Sequence, residues 1–162
     1  MAIFGHRKAK LTPDEIAGVF LSEFVANDDL APSNELDLSP EQQQQYASKC
    51  KLYRLALVIM TLMNEERNNP KVLLVRESIE SKVFCLPDDQ SHALLSQIQS
   101  SMSDLQKLLL PDGNPKELSW ARSWFESIHI DAINPVDLTL FASSWMDQYI
   151  AATKSLRDFK IV

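Results

Sequence analysis

The sequence predicts an all-α protein, a single-domain irregular bundle of about six helices around a long central helix. Two observations carry this expectation: a recurring helix-start signature and apolar residues spaced three and four apart. Glycine, by its scarcity, excludes functions instead. Only Gly5, Gly18 and Gly113 occur in 162 residues, where an average chain has roughly 7% glycine. Three isolated glycines cannot build a dinucleotide-binding G-x-G-x-x-G turn, a Walker A loop or a G-x-S-x-G nucleophile elbow.

The start signature is a capping residue followed by proline. It occurs at Thr12-Pro13, Ser39-Pro40, Asn69-Pro70, Asn114-Pro115 and Asn134-Pro135. Proline suits the first helical position because its missing N–H would be unpaired there. The residue before it can accept a hydrogen bond from one of the orphan N–H groups. Thr12 is followed by Glu15, Ser39 by Gln42 and Asn114 by Glu117, which completes a capping box in each case. Asn134 is followed by Asp137, whose charge favours the positive end of the helix dipole.

The first helix spans about 13–26, with Ile16, Val19, Phe20 and Phe24 in helical period. The second, about 40–67, carries two apolar stripes. Tyr46, Cys50, Tyr53, Leu57 and Met60 form one, and Leu52, Leu55, Ile59 and Leu62 the other. A helix apolar on two sides is central. The third, about 70–84, has Val72, Val75, Ile79 and Val83 at helical spacing, although its β-branched content leaves a hairpin open. The fourth starts at Asp88 or Asp89 and runs to about 109. It sets a seam of Leu95, Ile98, Met102 and Leu105 against a face rich in serine and glutamine. The fifth spans about 115–128. The sixth runs from 135 to 157 or beyond, with Leu138, Phe141, Trp145 and Tyr149 along one side. Residues 1–11 read as a flexible basic tail and 12–162 as the helical domain.

Charge is uneven. Residues 1–10 carry +3, residues 11–48 carry −8 with no lysine or arginine, and the remainder carries −1, for a net −6. Nucleic-acid binding is disfavoured, because phosphate neutralisation needs clustered basic residues. Three basic charges with Ile3 and Phe4 are too little for stable membrane association. The most apolar stretch, 52–63, includes Arg54 and is too short to span a bilayer. Cys50 and Cys85 form no C-x-x-C, and both sit among apolar residues, so they are expected to be free and buried. With no cleaner apolar leader, the expected compartment is the cytoplasm.

Catalytic signals are sparse. Glu126 and His129 form one Glu-x-x-His, a spacing used in di-iron bundles, with Glu23, Glu66, Glu77 or Glu80 as conceivable further ligands. One such motif is a weak alternative for a metal site. No serine or cysteine has a base readable from sequence, and no cofactor is expected. Two candidate partner-binding groups remain. One is the acidic set Asp28, Asp29, Glu35 and Asp37, suited to a basic protein. The other is Trp120 and Trp124, one helical turn apart, which either pack the last two helices together or line a groove. The sequence therefore points to a soluble cytoplasmic protein-interaction or regulatory module without catalytic activity. The alternative is a small-molecule-binding or metal-dependent helical enzyme.

Overall fold

A computed structural model of the chain describes residues 8–26, 36, 38–109, 117–131 and 133–162. Local sequence rules set most helix starts within this range. Thr12 Oγ1 accepts the Glu15 N–H at 3.3 Å, and Glu15 Oε2 accepts the Thr12 N–H at 2.8 Å. This reciprocal box opens α1 (Pro13–Phe20). The turn that follows, Leu21–Val25, widens to π-helical pairing, with the Ala26 N–H donating to Leu21 O at 2.9 Å. Ser39 and Gln42 build the same box at the start of α2 (Pro40–Glu66). Asn134 accepts from the Asp137 N–H at 2.9 Å and opens α6 (Pro135–Asp158).

Two start signals stand differently. Asn69-Pro70 lies two residues too early for α3 (Val72–Val83), which starts after Lys71 without a side-chain cap. Asn69 Oδ1 instead accepts from the Lys71 N–H at 3.2 Å and closes the turn between α2 and α3. The segment is a helix and not a hairpin. Asn114 lies outside the described residues. The remaining helices are α4 (Asp88–Leu109) and α5 (Glu117–Glu126).

The expectation of an all-α bundle around a long second helix holds. α2 is buried almost continuously from Tyr53 to Leu62 and packs against α3, α4 and α6. α1 lies on α3, and α5 lies on α6. A single apolar cluster joins Ile16 and Phe20 of α1 to Leu57 and Leu62 of α2, Ile79 of α3, Ile98 and Leu105 of α4, and Trp145 of α6. α2 ends on Glu65 and Glu66, against the helix dipole. Arg157 bonds Glu65, and Arg76 bonds Glu66 and Glu80, so cations from α6 and α3 supply what the local sequence lacks.

The last three residues of the expected tail are structured. Ala9–Leu11 form β1, which pairs in parallel with β2 (Phe159–Ile161) in the register Ala9↔Phe159, Lys10↔Lys160 and Leu11↔Ile161. Residues 1–7 lie outside the described residues. Among the described residues no helix is long and apolar enough to cross a membrane.

The two thiols differ, contrary to expectation. Cys50 is buried at 3% exposure, and burial pushes its pKa up to about 11. Cys85 is exposed, because α3 stops at Val83 and the apolar period does not continue through the turn that follows. Native protein should therefore release one equivalent of thiol rapidly to a disulfide reagent, and the second only on unfolding. Two fast thiols in the native state would contradict the placement of Cys50, and none would contradict that of Cys85.

Candidate functional site

A cleft of about 1100 Å3 opens along α2. Its floor is the outward row of α2, where Gln45, Ser48, Leu52 and Leu55 follow helical spacing. Leu21 and Val25 of the π-helical turn form one wall, and Val83 closes an end. The opposite wall is the polar face of α4, with Gln97, Ser100, Ser101 and Asp104, together with Leu94. Ser101 of that face is 3% exposed, because α4 turns part of it onto α2.

The half-buried charged groups gather at one end, where the cleft meets a smaller cavity of about 280 Å3 beside α5. Lys49, Tyr53, Asp104 and Ser127 line both. The half-buried Lys49 ammonium lies 4.6 Å from the Trp124 ring centroid and 5.5 Å from that of Tyr53. It donates to Trp124 O at 3.1 Å and contacts Ser127 Oγ. Burial lowers its pKa, since the charged form is the one that desolvation penalises. Tyr53 OH donates to Asp104 Oδ2 at 2.9 Å, and Lys107 Nζ donates to Asp104 Oδ1 at 2.9 Å. Burial pushes the Asp104 carboxyl upward, but these two hydrogen bonds and the charges of Lys107 and Lys49 together outweigh it and hold the group below the usual aspartate range. Burial and the Asp104 carboxylate both raise the Tyr53 phenol, which stays protonated as a donor.

The sequence-derived site residues divide. Asp28, Asp29, Glu35 and Asp37 lie outside the described residues. Of the other acids in that run, Asp14 pairs with Lys82 and Ser78, and Glu15 serves the α1 cap. Trp124 is core: it is 3% exposed and within 4.7–5.8 Å of Tyr46, Tyr53, Phe125 and Phe141. Trp120 is half-buried, stacks on Phe141 at 6.0 Å and donates its Nε1 to Asp104 O at 3.0 Å. The two rings thus pack the last helices together, and Trp120 also borders the smaller cavity.

Glu126 and His129 do not share a helix face. α5 stops at Glu126, and His129 takes φ 59°. Its N–H donates to Glu126 O at 3.0 Å, and the Ile130 N–H donates to Phe125 O at 3.1 Å. This pair of bonds is a Schellman turn, with His129 in the left-handed position that usually holds glycine. Its carbonyl accepts from Gln42 Nε2 at 3.0 Å, which ties the turn to α2. Among the described residues, no three His, Cys, Asp or Glu side chains are placed to hold a metal ion. His129→Gly should raise stability by about 0.5–1 kcal/mol, by removing the steric cost of a Cβ at positive φ. Chemical denaturation would show it as a higher midpoint at unchanged slope. A lower midpoint would mean that the imidazole itself holds the turn.

Sequence reasoning missed Lys49, Leu52, Tyr53 and Asp104 as a group. The only local trace was the Leu52–Leu55 stripe on α2, which signals burial and not a cleft. No family model, curated protein or solved structure matches the chain.

Proposed function

We propose that this protein is a non-catalytic regulatory module of the cytoplasm that works by binding, with the α2–α4 cleft as its binding site. One observation supports this above the others. Leu21, Val25, Leu52 and Leu94 line an open cleft whose half-buried charged groups, Lys49 and Asp104, sit at one end. Protein interiors ordinarily fill such space with side chains. A volume of about 1100 Å3 lies just above the range of roughly 300–1,000 Å3 found for small-molecule sites. The lining offers hydroxyls, amides and one ammonium, which are groups for holding and orienting a ligand. A protein-partner reading also has a specific observation in its favour. Val136, Leu140 and Ile150 of α6 are each more than 60% exposed, on a helix that contributes nothing to the cleft lining. These side chains would let a second protein meet the module while the cleft is occupied.

The test places a charge on the cleft floor. Leu52 is half-buried there, so Leu52→Glu should spoil binding with little effect on folding. Tagged wild-type protein from its own cell should carry a bound small molecule in native mass spectra, and Leu52→Glu should lack it at an unchanged melting temperature. Identical spectra from the two proteins would remove the cleft from the function.

A further inference from the structure

We infer that the cleft takes a single aliphatic chain ending in a compact anion, a fatty carboxylate, with its head on Lys49 and its tail along α2. This names the ligand class of the cleft and rests on the binding reading above. The Lys49 ammonium has three N–H donors. Its hydrogen-bond acceptors among the described residues are both neutral, Trp124 O and Ser127 Oγ. No carboxylate of the described residues lies within 4.0 Å of it. The nearest acid at the cleft, Asp104, is already held by Tyr53 and Lys107. Asp104 attracts the ammonium across the cavity without touching it; a half-buried cation with no carboxylate in contact is costly, and a ligand anion would offset that cost.

The charge of the lining agrees. The two cavities are lined by Lys49, Lys51 and Lys107 against Asp104, a balance of +2 in a chain of net charge −6. Away from Lys49 one side of the cleft turns aliphatic, through Leu21, Val25, Leu52, Val83 and Leu94, opposite Gln97, Ser100 and Ser101 of α4. That arrangement suits a tail with no polar groups. A polyphosphate would require several converging cations and a cradle of backbone N–H groups. Here one half-buried ammonium stands at the head of an apolar trough. The ring faces of Trp124 and Tyr53 keep the ammonium in place through their quadrupoles, so the head site is formed before the ligand arrives.

The experiment uses the full chain and titrates it with octanoate, decanoate and dodecanoate below their micelle concentrations. Binding is followed by calorimetry and by tryptophan fluorescence, to which Trp124, the ring under Lys49, contributes. One-to-one binding is expected, tightening about fourfold for each added methylene. Dodecanol and dodecyltrimethylammonium should bind at least tenfold more weakly than dodecanoate. Dodecyl phosphate distinguishes the headgroup: binding of either anion supports the site, and the tighter one names the head. Lys49→Met should weaken dodecanoate at least tenfold and leave dodecanol unchanged, while Lys154→Met on α6 changes neither. If Lys49→Met does not fold, Lys49→Arg keeps the charge and should retain the preference for the anion over the alcohol. Equal affinity for dodecanoate and dodecanol, no chain-length dependence, or no binding would overturn the inference. If no alkyl anion binds but Leu52→Glu still strips the natural ligand, the inference fails and the binding reading stands. If Leu52→Glu strips nothing, the binding reading itself fails.

Discussion

Replacing Trp124 by alanine is expected to cost about 3–5 kcal/mol, the usual scale for emptying a buried indole site. The ring is 3% exposed and belongs to an aromatic cluster centred on Phe141. Trp124 and Phe125 of α5 each lie 4.7 Å from Phe141, and Trp145 of α6 lies 6.0 Å from it. Tyr46 and Tyr53 of α2 close the cluster with edge contacts to Trp124 at 5.5 and 5.8 Å. α5, α6 and α2 therefore meet at this one side chain. Total stabilities of single domains are roughly 5–15 kcal/mol, so the variant should lose much of its margin. Urea unfolding followed by far-UV circular dichroism would measure the shift. Trp124→Phe should recover most of it, because the indole Nε1 has no hydrogen-bond partner among the described residues and its loss removes an unsatisfied donor. A midpoint unchanged by alanine would mean that the ring lies on a free surface, as the groove alternative from sequence required.

Ile161→Ala should produce the second large loss, about 2–4 kcal/mol. Ile161 is 5% exposed although it is the penultimate residue of the chain. Leu11 is its partner in the parallel pair, and the Val162 N–H donates to Leu11 O at 3.1 Å. Lys71 Nζ reaches across from the start of α3 to the Ile161 carbonyl at 3.1 Å. The side chain is thus held by both ends of the described chain and by the α2–α3 turn. Val162, 54% exposed, is the matched control: its change to alanine should stay within about 0.5 kcal/mol. Equal midpoints for the two variants would show that β2 contributes nothing to the fold. Lys10 opposite Lys160 sets like charges side by side, which works against the pairing. Burial of Ile161 is what outweighs that repulsion.

The sequence by itself determined the helix starts at Thr12, Ser39 and Asn134, the central place of α2 and the all-α class. Each depends on contacts within about four residues, or on a period repeated along one helix. Caps and stripes are local physics, and they read correctly without the rest of the chain. The signal at Asn69-Pro70 misled by two residues because the same Asn and Pro chemistry also closes turns. Tertiary structure decided the rest. Cys85 and His129 lost their sequence-level readings when α3 stopped at Val83 and α5 at Glu126. A side chain's face is defined only while its helix continues. Trp120 and Trp124 were visible as a pair, but their division between cavity border and core depended on where Phe141 of α6 came to lie. The cleft is the extreme case. Its head joins Lys49 and Tyr53 to Asp104 and Ser127, residues separated by up to 78 positions. No local pattern records that pairing, because it follows from the paths that α4 and α5 take across α2.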